Sequence, residues 1–151
     1  MRTRKSLPLV AVVSLGLVVL ASVSVGGCCT DVCALKPGAQ GVTVGEAYDL
    51  IQANEGNANF VILDVRTQTE YDSGHIEGAI NLDVTSETFS DDVGNLDRNN
   101  TYLVYCAAGA RSGQAADIMN RGCFGHLYDM TGGITAWIAA DFPVTQAVQT
   151  Q

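Results

Sequence analysis

The sequence predicts an α/β domain built on a parallel sheet covered by helices on both faces. Three observations carry that prediction. From Gly41 onward, short apolar segments alternate with amphipathic ones. Two of the apolar segments, Phe60 to Val65 (FVILDV) and Thr101 to Cys106 (TYLVYC), are unbroken runs of the kind found in strands buried on both faces. The second run ends on a cysteine that leads directly into a helix-forming segment.

The elements follow in order. Gly41-Val42-Thr43-Val44 is a short apolar start, and Thr43 with Glu46 forms a capping box for a helix through Ala53. Phe60 to Val65 is the second strand. Thr67 and Glu70 repeat the capping pattern and open a short helical turn that ends near Gly74. Ala79-Ile80-Asn81-Leu82 reads as a third strand, and a polar stretch, helix or loop, continues to about Asn100. Thr101 to Cys106 is the fourth strand. Ser112 to Arg121 places Ala115, Ala116, Ile118 and Met119 at helical spacing, with Gly122 as the stop signal. His126 to Met130 is a fifth strand, and a helix around Ile134 to Ala140 ends before Pro143.

The first 27 residues read as a targeting segment. A basic stretch from Met1 to Lys5 precedes an apolar run from Leu7 to Val25, broken only by small residues and Pro8. Val25-Gly26-Gly27-Cys28 resembles the bacterial lipobox, which makes Cys28 the lipidation point and the product an exported, membrane-tethered protein of the periplasm or cell envelope. The run is about as long as the shortest bilayer-spanning helices, so an uncleaved anchor is an alternative, as is plain secretion. Residues 28–40 form a tether, 41–146 the folded domain and 147–151 a tail. Lys plus Arg number 8 against 16 for Asp plus Glu, and three of the basic residues lie in the leader. A body so acidic repels phosphate backbones, which argues against a nucleic-acid partner.

The chemistry concentrates in Cys106-Ala107-Ala108-Gly109-Ala110-Arg111-Ser112. The strand delivers a cysteine at its end, and small residues around Gly109 let the chain curl so that successive N–H groups form an anion nest. The following helix start adds partial positive charge, and Arg111 adds a fixed cation. Each effect favours thiolate over thiol, so Cys106 is expected to be a nucleophile near neutral pH.

These residues resemble the rhodanese family over essentially the whole body. Asp64-Val65-Arg66 matches the family's D-V-R. Glu70 to Asn81 (EYDSGHIEGAIN) is similar to its E-[FY]-x-x-G-H-I-x-G-A-x-N segment, and Cys106-x-x-Gly109-x-Arg111-Ser112 to its active-site loop. Gly132-Gly133 with Trp137 and Pro143 resembles its closing segment. The resemblance implies a rhodanese-like, five-stranded parallel sheet flanked by helices and a double displacement without cofactor or metal. In it the Cys106 thiolate takes sulfane sulfur from a donor such as thiosulfate and passes it to a thiophilic acceptor. Partners would be a small sulfur-containing anion or thiol, or a protein donor or acceptor. Arg111 would help hold the anionic end of the donor. Loop length separates this reading from phosphoryl chemistry: phosphatases of related and unrelated folds use Cys-x5-Arg, and here four residues separate Cys106 from Arg111. A different class of reading is a persulfide-carrying or sensing module that docks one protein partner.

Asp64, Arg66, Glu70 and His75 read as structural support. Asp64 follows a buried strand and can accept hydrogen bonds from nearby loops. Arg66 and Glu70 are spaced to pair across the cap of the short helix. His75 is a satisfied loop histidine, Trp137 belongs to the core and Asp91-Asp92 to a solvated face. With two histidines and no Cys-x-x-Cys, zinc has little support. Cys123 is separated from Cys106 by a whole helix, which argues against their pairing. Cys33 with either Cys29 or Cys123 is open.

Overall fold

The computed structural model describes residues 38–146. The expected leader, Cys28, Cys29, Cys33, nearly all of the tether and the tail lie outside the described residues. The elements run β1 (Gln40–Val42), α1 (Val44–Ala53), β2 (Phe60–Asp64), α2 (Gln68–Ser73), β3 (Ile80–Asn81), α3 (Phe89–Gly94), β4 (Thr101–Tyr105), α4 (Ala110–Arg121), β5 (His126–Met130) and α5 (Gly133–Ala139). All strand pairs are parallel, in the order β1-β5-β4-β2-β3.

Period-two alternation along β4 divides the core. Tyr102, Val104 and Cys106 join Leu63, Val65, Ala115, Met119 and Phe124 on the face covered by α3 and α4. Leu103 and Tyr105 join Ile62, Met130, Ile134 and Trp137 on the face covered by α1 and α5. Burying a large apolar side chain such as Leu63 or Leu103 stabilises the fold by ~1.5–3 kcal/mol. The parallel register sets Asp64 beside Tyr105, so the loops after β2 and β4 leave the sheet at the same edge. That is where a doubly covered parallel sheet presents its ligand-binding loops.

Both capping boxes form. Thr43 accepts from Glu46 N, and Glu46 Oε2 accepts from Thr43 N at 2.8 Å. Thr67 and Glu70 repeat the arrangement. Two expectations need correction. The third strand shrinks to Ile80 and Asn81, because this edge strand pairs only with Leu63 and Asp64. α4 begins at Ala110 instead of Ser112, since Gly109, at φ +106°, turns the chain into the helix two residues earlier. Gly122 ends that helix as expected, with φ of −76°, and the left-handed residue that follows is Cys123 at φ +67°. Gly122 is required for space: a β-carbon there would stand 3.2 Å from Met119 O and 3.3 Å from the Phe124 ring.

Candidate active site

Cys106 leaves β4 at the sheet edge and is 1% exposed, its side chain packed into the α3–α4 core face. The loop after it curls back over the sulfur. Gly109 N–H donates to Cys106 Sγ at 3.1 Å. Burial pushes the Cys106 thiol up, but the N–H groups of Ser112, Gly109 and Ala108 and the Ser112 hydroxyl outweigh it, and the thiol ends below its ordinary value. The same Ser112 hydroxyl can instead turn to Gly109 O, 3.0 Å away, tying the first turn of α4 to the loop. Ala107 and Gly109 are half-buried, and Ala108 and Ala110 are exposed. Ala108, Gly109 and Ser112 are thus brought onto the Cys106 sulfur, with Ala107 and Ala110 in the same loop.

The loop is also held from behind. Ile134 N–H donates to Cys106 O at 2.9 Å and Thr135 N–H to Ala107 O at 3.1 Å. Both loop carbonyls thus face the start of α5, which leaves the N–H side of the loop for the sulfur. Sequence reasoning misses this support, although a Gly-Gly pair just before a helix is its signal. Gly132 and Gly133 have φ of +82° and +57°, and a β-carbon on Gly133 would stand 2.6 Å from the Ala107 carbonyl.

Arg111 does not point into open solvent. Its two terminal nitrogens donate to Glu70 Oε2 at 2.8 Å and Oε1 at 2.7 Å, a bidentate pair joining α4 to α2. Donation from Arg111 holds the Glu70 carboxyl at about 2 against the opposing effect of burial, with help from the Thr67 cap. The expected Arg66–Glu70 pair is corrected. Arg66 turns back two residues onto buried Asp64, with Nη2 2.6 Å from Oδ2, and donates from the same nitrogen to Gly74 O. Asp64 is fully buried and needs that partner close at hand, and Glu70 is left for Arg111.

His75 is a satisfied loop histidine: its ring stacks on Tyr71 at 3.7 Å and its Nδ1 lies 2.9 Å from Tyr71 O. Trp137 is core, and its indole N–H donates to Pro143 O at 2.9 Å. Asp91 is exposed and Asp92 half-exposed on α3. Cys123 is disulfide-bonded, and Cys106 is the free cysteine among the described residues. Among those residues no group of His, Cys, Asp and Glu is arranged to hold a metal ion.

Comparison with known proteins agrees with this architecture. The family model described as the rhodanese-like domain matches residues 43–140. The thiosulfate sulfurtransferase GlpE of Shewanella oneidensis is 32% identical over 92 residues, 61% of this chain and 88% of that protein. The thiosulfate sulfurtransferase PspE of Escherichia coli is 34% identical over 70 residues, 46% of this chain and 67% of that protein. A crystal structure of a rhodanese-related protein from Thermoplasma volcanium superposes with a TM-score of 0.60 at 27% identity, covering 70% of this chain and 97% of that one.

Proposed function

This chain belongs to the rhodanese-like domain family, and on that premise we propose that it is a sulfurtransferase carrying sulfane sulfur as a persulfide on Cys106. The observation that carries the reading is the Gly109 N–H on Cys106 Sγ at 3.1 Å, inside a loop whose neighbouring N–H groups face the same atom. Those donors stabilise a thiolate before reaction and an anionic persulfide after it, with no reorganisation between the two.

The reaction is a double displacement. The Cys106 thiolate attacks the outer sulfur of a donor such as thiosulfate. A sulfur–sulfur bond to Cys106 forms, the donor's own sulfur–sulfur bond breaks, and sulfite leaves with the bonding electrons. A thiophilic acceptor such as cyanide or a thiolate then attacks the outer sulfur, and Cys106 departs as thiolate. The protein supplies the nucleophile, its activation and the anion nest. The names of the GlpE and PspE relatives support thiosulfate as one such donor. The second reading, a persulfide-carrying module that docks a protein partner, is favoured by uncharged Ala107, Ala108 and Ala110, which offer little to a small anion. The leader and Cys28 support an exported, lipid-anchored location for either role.

Sulfur transfer from thiosulfate to cyanide, assayed on the wild type and Cys106→Ser, tests the reading. Transfer in the wild type and none in the variant is expected. Equal transfer in both would remove Cys106 from the mechanism.

A further inference from the structure

The charges around the loop bear on which donor it serves. Thiosulfate brings two negative charges to a thiolate that already carries one, so efficient use of it needs cationic charge left free near the sulfur. The basic side chains among the described residues are Arg66, Arg98, Arg111 and Arg121. Arg66 is buried against Asp64. Arg98 donates to Gly122 O beyond the far end of α4, and Arg121 is the last residue of that helix, about 16 Å from its start at 1.5 Å per residue. Of these four, Arg111 alone stands at the loop, and both of its terminal nitrogens are held by Glu70 at 2.7 and 2.8 Å. A second carboxylate, Asp83, lies close enough to act on the same guanidinium. Ala107, Ala108 and Ala110 add no charge.

We propose that the Glu70–Arg111 pair sets the donor class, withholding the loop cation from dianions so that the site loads more readily from hydropersulfides than from thiosulfate. This rests on the Cys106 persulfide reading and narrows it. With a hydropersulfide R–S–SH, the thiolate attacks the outer sulfur and the sulfur–sulfur bond between RS and that sulfur breaks. The products are a Cys106 hydropersulfide, which keeps the proton, and RS⁻, which needs no more stabilisation than one negative charge. Glu70 is a specificity-determining residue here, and Arg111 acts chiefly as the clasp between α4 and α2.

The test is the ratio of loading efficiencies, kcat/KM for thiosulfate over kcat/KM for cysteine hydropersulfide, in the wild type, Glu70→Gln and Asp83→Asn. A ratio within one protein cancels any loss of folded or active material. Asp83→Asn leaves the α2 cap intact should Glu70→Gln fold poorly. The wild type is expected to favour the hydropersulfide. Glu70→Gln should raise the ratio roughly tenfold, and Asp83→Asn severalfold, as each removes negative charge that offsets the loop cation. A ratio that stays fixed in both variants, or a wild type that favours thiosulfate, would overturn the proposal while leaving the persulfide mechanism standing. Failure of both donors to load Cys106 would overturn both.

Discussion

Gly133 lies against the backbone of Cys106 and Ala107 so closely that a β-carbon there would stand 2.6 Å from the Ala107 carbonyl carbon and oxygen. The contact lets the first N–H groups of α5 reach the loop carbonyls. The orientation of the nucleophilic loop is therefore fixed from a turn that lies beyond both α4 and β5 in the chain.

Gly133→Ala should consequently lower stability by ~1–3 kcal/mol, through overpacking and a left-handed φ that alanine tolerates poorly. It should also suppress Cys106 reactivity by disturbing the loop. Thermal denaturation and the rate of thiol alkylation check the two effects together. An alanine variant with wild-type stability and reactivity would show that the loop does not depend on this contact.

Cys106 should react as a thiolate at a pH below that of an ordinary cysteine, because the loop N–H groups outweigh burial. The pH profile of iodoacetamide alkylation measures it directly. Ser112→Ala removes a hydroxyl that helps lower the thiol and should move the midpoint upward. An unmoved midpoint would show that the backbone amides act alone.

The Glu70–Arg111 pair should appear in the acid stability of the domain. The folded-state value of Glu70 is depressed to about 2 from 4.5. Its contribution is therefore fully present above about pH 4.5 and disappears as pH falls through about 2. The Glu70 side chain is 36% exposed, so solvent screening limits the effect to ~1 kcal/mol. Urea denaturation at pH 5.5 and pH 2.5 should show a smaller acid loss in Glu70→Gln than in the wild type.

Trp137→Phe keeps most of the apolar volume but removes the indole N–H that donates to Pro143 O at 2.9 Å. A loss of ~1–2 kcal/mol is expected from denaturant titration, with Cys106 reactivity retained. Loss of reactivity at full stability would give Trp137 a role beyond the core.

What could be read from the residues was chiefly local or periodic. The two capping boxes are short local patterns, and both form, between Thr43 and Glu46 and between Thr67 and Glu70. The buried strands declared themselves as unbroken apolar runs, and the nucleophilic loop as a cysteine followed by small residues, Gly109 and Arg111. The long-range pairing was not legible. Helical spacing suggests Arg66 for Glu70, yet buried Asp64 takes Arg66, and Glu70 reaches Arg111, 41 residues away. The Gly133 contact escaped for the same reason, since local sequence says that a turn needs glycine but not which backbone approaches it. Gly122 does stop α4, as its residue type suggests, and the left-handed residue that follows it is Cys123.

The most direct test of the central claim is the intact mass of the purified protein after incubation with a sulfane-sulfur donor, alongside Cys106→Ser. The account predicts a gain of one sulfur atom, located on Cys106 by peptide mass, removed by cyanide and absent from the variant. No gain with thiosulfate or any hydropersulfide, or an equal gain in Cys106→Ser, would contradict it.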